Sequence, residues 1–100
     1  MRIANRNARD YTWSRQEFKG SNLFAEWVNE FLYVVYSYGK HWPLFIYDDR
    51  IGKWIGNHDK YSRSTSRHWS QAHPGGEVQH HSIDEITTYL SMSGVRSYEA

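Results

Sequence analysis

The chain has 100 residues, no cysteine and a formal net charge of +1 at pH 7. This length fits one domain, and the missing thiols exclude a disulfide framework and thiolate chemistry. The near-neutral charge excludes a strongly basic nucleic-acid coat and an acidic tail.

The N-terminal part of the chain is predicted to form a flexible arm followed by a strand. Residues 1–10 are polar and basic without periodicity, which predicts a flexible arm ahead of a single α+β domain over residues 11–100. Residues 23–28 follow a turn-like segment that begins at Gly20, and they predict a first strand. A helix that runs back to Arg15 is the alternative, but Gly20 argues against it.

Three further strands follow in the middle of the chain. Residues 31–38 are β-branched and aromatic on both faces, which predicts a central strand covered on both sides. Residues 41–47 predict the antiparallel return, with Pro43 at a bulge or an unpaired edge position because proline cannot donate to a ladder. Residues 53–57 predict a short last strand.

The C-terminal half predicts two helices. Ser64 or Thr65 is expected to cap a short helix that continues to about Gln71. Ser82 and Glu85 have the spacing of a capping box, which predicts the start of a second helix. The apolar face of this helix is predicted to carry Ile83, Ile86 and Leu90. The fold expected is therefore α+β, with a small antiparallel sheet of three to four strands packed by the C-terminal helix and a short helix.

The chemically densest segment is residues 59–71, which combines cations, hydroxyl groups and aromatic rings. Its cations could neutralise phosphates, its hydroxyl groups could donate to phosphate oxygens, and its rings could stack on unpaired bases. The alternative is that the hydroxyl groups cap a helix while the rings anchor the segment to the sheet. The candidate residues for binding a partner or a nucleic acid are Lys60, Tyr61, Arg63, Thr65, Ser66, Arg67, His68 and Trp69.

Catalytic and metal chemistry find little support in the sequence. The six histidines contain no pair at the i, i+4 spacing of a zincin, so we expect no metal site and no cofactor. A triad of Ser62, His68 and Asp59 would lack the nucleophile elbow that exposes a catalytic serine. We therefore expect a protein that is not an enzyme.

Residues 31–72 resemble a family of small uncharacterised proteins from bacteriophages and other mobile elements. The shared pattern is YVVYSYG…W…KYSxTTSxH. The residues that match here are 33–39, 42–44, Trp54, 59–62 and 65–68 with Ser70 and Gln71, and Ser64 stands where the family pattern usually has threonine. The resemblance implies a phage-encoded accessory protein in the cytoplasm of a bacterial host. It transfers no catalytic residue.

Two functions follow as expectations. The first is binding to a host protein or ribonucleoprotein complex through a surface, and inhibition of CRISPR immunity is its most concrete form. Trp, Tyr and Arg would then form the centre of the contact. The alternative is direct binding of DNA or RNA through residues 60–69 and the basic N-terminal arm. The absence of a long apolar run predicts no membrane partner, and both a monomer and a homodimer are compatible with the exposed aromatic surface expected here.

Overall fold

The fold is a six-stranded sheet with helices on both faces. A computed structural model describes residues 2–59 and 63–95, except for the side chain of Ser64. The elements are α1 (Ala8–Trp13), β1 (Phe18–Lys19), β2 (Leu23–Trp27), β3 (Leu32–Ser37), β4 (Pro43–Asp48), β5 (Lys53–Asn57), α2 (Arg63–Ala72), β6 (Val78–His81) and α3 (Ile83–Met92). A 3-10 turn, Asn5–Asn7, precedes α1.

The strands lie in the sheet in the order in which they occur in the chain, from β1 to β6. The first five form an antiparallel meander, whereas β6 runs parallel to β5. The α+β class agrees with the expectation, but the predicted antiparallel sheet of three to four strands is wrong, because the sheet has six strands and mixed directions.

The two strands that the sequence did not predict carry weak signals. Strand β1 has only two residues, too few to show an alternation. Strand β6 has a single buried side chain, Val78, followed by three polar residues. Its partner is β5, which is not adjacent in sequence, and a parallel neighbour requires a crossover connection. Helix α2 is that connection, so residues 53–57 are not the last strand.

The central strands lie within two residues of their predicted bounds. All six side chains of β3 are buried, as its two apolar faces predicted. The β3–β4 pairing shifts register between Val35 and Tyr36, immediately before Tyr36 pairs with Pro43. The predicted irregularity at Pro43 is therefore confirmed.

The apolar core lies on both faces of the sheet. On one face, Tyr33, Phe45 and Trp54 pack with residues of α1 and α2. On the other face, Val34 and Ile46 pack with residues of α3. Each helix thus covers part of a strand surface that would otherwise expose large side chains to water.

Helix α3 begins as the sequence predicts. The Ser82 hydroxyl accepts from the Glu85 amide (3.2 Å), and the Glu85 carboxylate accepts from the Ser82 amide (2.8 Å). Ile86 and Leu90 face the sheet and are buried. In the described part of the chain, no helix has both the length and the apolar character needed to cross a membrane.

The N-terminal segment differs from the flexible arm that its polar composition predicted. The Asn5 side chain donates to the Ser21 carbonyl (2.9 Å) and accepts from the Ser21 amide (2.7 Å). Ala8 is 0% exposed, and both the 3-10 turn and α1 contact α2. Hydrogen bonds of the Asn5 side chain and one small buried residue therefore dock this segment, and neither produces an apolar periodicity.

A buried carboxylate joins β4 to α3. Asp48 is 1% exposed, and it accepts two hydrogen bonds from the Arg50 guanidinium (3.1 and 2.8 Å). The Tyr89 hydroxyl of α3 donates to the same carboxylate. These bonds, chiefly those from Arg50, outweigh burial and lower the pKa of Asp48 to about 2. The carboxylate is therefore charged throughout the neutral range.

We expect Asp48→Asn to destabilise the protein by about 1–3 kcal/mol at pH 7, because it removes the charge that two donors share. The native pKa lies below the ordinary value of 3.8, so the contribution of Asp48 is present above about pH 4 and is lost as the pH falls through 2. Urea unfolding from pH 7 to pH 2 measures this. If the variant and the wild type differ by the same free energy at both ends, the carboxylate does not contribute in this way.

Candidate functional site

Asp59, the first residue of the chemically dense segment 59–71, is hydrogen-bonded to the rest of the fold. The Asp59 carboxylate accepts from the Ile83 amide at the start of α3 (2.9 Å). The Asp59 amide donates to the Asn57 side chain (2.9 Å), and Asn57 in turn donates to the Pro43 carbonyl (2.9 Å). These bonds connect the end of β5 to both β4 and α3. Asp59 therefore positions the segment and has a structural task.

Two of the candidate residues lie on the buried face of α2. Thr65 is 1% exposed and His68 is 5% exposed. His68 Nδ1 lies 2.7 Å from Ser37 Oγ, a buried hydrogen bond that fixes α2 on the end of β3. Burial, and after it the charge of Arg67, lower the pKa of His68. The imidazole is therefore predominantly neutral at pH 7.

Trp69 lies between α2 and the sheet. The centroid of its ring lies 4.4 Å from the centroid of the Phe45 ring. The ring also stacks on the His80 ring, with a centroid distance of 5.6 Å. The ring also lies over Gly56, where an added Cβ would come within 2.6 Å of Trp69 Cη2. These contacts are those of an anchor, since the ring faces are occupied by the protein's own side chains.

The exposed face of α2 carries the cations. Arg63 and Arg67 are exposed, and their i, i+4 spacing places them on the same side of the helix. Within the ranges 2–59 and 63–95, neither guanidinium has an ion-pair partner. Their charge is thus available to an external anion.

Two arginines of the N-terminal segment join this surface. Arg9 donates to the Ser70 carbonyl near the end of α2 (3.2 Å). Arg6 and Arg9 line a shallow depression of about 410 Å³ together with Ser70, Gln71 and Asp10. Arg67 precedes Ser70 by about one helical turn, and both are exposed on α2.

We call Arg6, Arg9, Arg63 and Arg67 the basic face. It joins two basic stretches that are more than fifty residues apart in sequence. Asp10 is an acid in the depression that Arg6 and Arg9 line. A surface rich in arginines can attract a polyanion even though the whole chain carries a net charge of only +1.

The sequence-predicted residues thus divide into three groups. Arg63 and Arg67 are exposed, Ser66 is half-buried, and Thr65, His68 and Trp69 pack inward. Lys60 and Tyr61 lie outside the described residues. Arg6 and Arg9 were not named individually as site residues, but the basic N-terminal arm that contains them was part of the nucleic-acid hypothesis.

A cavity of about 280 Å³ lies on the other flank of α2. Its walls include Leu44, Trp69 and Ser66, and it ends on Asn57 and Asp59. The two last side chains already hold backbone groups of the protein. The cavity therefore lies beside the packing between α2 and the sheet, and Asn57 and Asp59 serve the fold there; His58 and His80 also line it.

Metal-binding groups are dispersed over the described part of the molecule. No cluster of three or more His, Asp or Glu side chains that could hold a metal ion occurs in residues 2–59 and 63–95.

No protein-family model, curated protein or solved structure matches this chain. The resemblance to proteins of phages and mobile elements therefore stays a prediction.

Proposed function

We propose that the protein binds nucleic acid, and that the basic face is its contact with the phosphate backbone. The observation that supports this function best is that Arg6 and Arg9 lie against the end of α2. The exposed face of the same helix carries Arg63 and Arg67, which have no ion-pair partner among the described residues. Guanidinium groups are suited to phosphate, because they present several donors in a planar fork.

The architecture supports this proposal in a second way. The hydrogen bond between Ser37 and His68 and the packing of Trp69 on Phe45 hold α2 on the sheet. The arginines on the opposite face of α2 are thereby presented from a fixed helix. A fixed array loses less conformational entropy on binding than one carried by a mobile segment.

A role as an inhibitor of a host complex, including CRISPR immunity, remains a proposal that rests on the family resemblance. It is compatible with the nucleic-acid proposal, since the basic face would act on the DNA or RNA that such a complex holds. Binding to pure nucleic acid and binding to the loaded complex would then depend on the same arginines.

Salt dependence tests the proposed function directly. If each arginine of the basic face meets one phosphate, raising the salt from 50 to 200 mM should weaken binding about 50-fold for a single strand and about 150-fold for a duplex. Fluorescence anisotropy with labelled mixed-sequence oligonucleotides measures this. The proposal fails if no binding is detected at 50 mM salt.

Arg67→Glu should weaken binding about 10-fold at 50 mM salt and lower the salt slope, because one phosphate contact is replaced by a like charge. Lys53→Glu is the matched control, since Lys53 is an exposed cation at the start of β5 and the substitution changes the net charge equally. Equal losses in the two variants would show that net charge, and not the basic face, governs binding.

A further inference from the structure

Strand β6 forms an open border of the sheet. It is last in the strand order and pairs with β5, and the His81 carbonyl accepts from the His58 amide at the end of that pairing (2.9 Å). Because the main-chain groups of a strand in a parallel ladder point alternately to its two sides, Gln79 and His81 bond to β5. Those of Val78 and His80 point away from β5, and they have no hydrogen-bond partner among the described residues.

An apolar groove of about 590 Å³ lies beside this border, on the face of the sheet that α3 covers. Gln79 and His81 of β6 line it on one side, and residues of α3 line it on the other. Ile51 and Met92 also line it and are 54% and 84% exposed. Of the four large apolar side chains exposed in the described part of the chain, two therefore meet next to a strand with unused main-chain groups.

The charged side chains of the groove are acidic. Asp84 and Glu85 line it and are exposed, and no lysine or arginine is among the described residues that line it. Glu85 already accepts from the Ser82 amide (2.8 Å). The Asp84 carboxylate has no ion-pair or hydrogen-bond partner within residues 2–59 and 63–95. The groove thus favours a cationic ligand and repels phosphate.

We propose that β6 and this groove bind an extended segment of a partner protein, which adds to the sheet as a further strand. The main chain of the segment pairs with Val78 and His80, and every second side chain enters the groove, because successive side chains of a strand point to opposite faces. Those side chains are apolar, and a lysine or arginine of the segment lies against Asp84. An extended cationic peptide matches the main-chain groups, the apolar surface and the carboxylate at once.

This surface is separate from the basic face. The groove lies on the side of the sheet that α3 covers, whereas α1 and α2, which carry the four arginines, pack on the other side. The inference therefore goes beyond nucleic-acid binding and does not depend on it. A protein with both surfaces could hold a nucleic acid and a protein segment at the same time.

Amide hydrogen exchange of the wild-type protein, followed by NMR, tests the strand pairing. In the free protein, the amides of Gln79 and His81 should exchange slowly and those of Val78 and His80 rapidly, because only the first two are bonded to β5. The probe is a nine-residue peptide in which valine alternates with threonine and lysine. At ten times its Kd, it should slow the exchange of the Val78 and His80 amides about tenfold.

Two altered peptides serve as controls for the probe. Methylation of alternate backbone nitrogens keeps the side chains and removes the donors that face β6, and it should weaken binding at least about fivefold. Replacement of the lysines by glutamates should weaken it as well, because the groove is acidic. Equal affinity of the methylated and the unmethylated peptide would overturn the inference, and so would the absence of any resonance shift up to about 1 mM peptide.

Two pairs of protein variants locate the contact. Asp84→Asn should weaken peptide binding about 2- to 5-fold, whereas Asp10→Asn is its matched control, since Asp10 also lies exposed in the first turn of a helix. Met92→Ala should weaken binding about fivefold, and Trp13→Ala, at the exposed end of α1, should leave it unchanged. Equal effects within both pairs would show that the peptide binds elsewhere and would refute the inference.

A second copy of this chain is the other occupant that an open border admits. Light scattering would then show a dimer, and the Val78 and His80 amides would be protected from exchange without any peptide. That result would overturn the assignment to a partner segment. We expect instead a monomer in which these two amides are protected only when the peptide is present.

Discussion

Trp69→Ala is expected to lower the free energy of unfolding by about 3 kcal/mol, the low end for truncation of a large aromatic, because this ring is only partly buried. The ring contacts Phe45 and His80 and lies over Gly56. Its removal leaves a void between α2 and the sheet that the fixed strands cannot close. Urea unfolding followed by circular dichroism measures the loss.

Trp13→Ala is the matched control for this substitution, because Trp13 is 60% exposed and stands at the end of α1. A surface truncation of this kind should change stability by no more than about 0.5 kcal/mol. If the two alanine variants are equally stable, Trp69 is not an anchor, and its ring is free for a role in binding.

Gly56→Ala is expected to destabilise the protein by about 1–3 kcal/mol through overpacking. An added Cβ would lie 2.5 Å from Val78 Cγ1 and 2.6 Å from Trp69 Cη2, so both of these packed side chains would have to shift. Gly56→Val should cost more, because its two methyl groups enter the same space. Thermal unfolding of both variants provides the measurement.

Gly76→Ala serves as the control for the glycine prediction. An added Cβ at Gly76 has no atom within 4 Å, and the substitution should leave the midpoint of thermal unfolding nearly unchanged. A Gly56→Ala protein that melts together with Gly76→Ala would show that the contact between β5, β6 and Trp69 adapts without cost.

The parts of the fold that the sequence predicted are those with a strong local pattern. The dense β-branched and aromatic run of β3 and the capping box at Ser82 and Glu85 each determine an element through neighbours in sequence. Strand β6 lacks such a pattern, because it has one buried residue and gains its partner only after α2 crosses over the sheet.

The candidate site could be predicted only in part for a related reason. The sequence identified the cations, hydroxyl groups and aromatic rings of residues 59–71. Which of these side chains reach water depends on burial, which the sequence of the segment does not determine. His68 packs under α2 and Arg67 points outward, although the two are adjacent in sequence. The contribution of Arg9 depends on the docking of α1 against α2, and a helix of six residues carries too few positions to reveal that contact beforehand.

The two outermost strands have a consequence for self-association. An exposed sheet edge is a template on which another chain can add a strand. Here β1 has two residues, and its outer side is already engaged, because the Ile3 amide donates to the Lys19 carbonyl (2.8 Å). At the opposite border, β6 has four residues and exposes Gln79 and His80. The border at β1 is thus both short and occupied, which disfavours cross-chain backbone pairing there, whereas β6 is the longer of the two border strands.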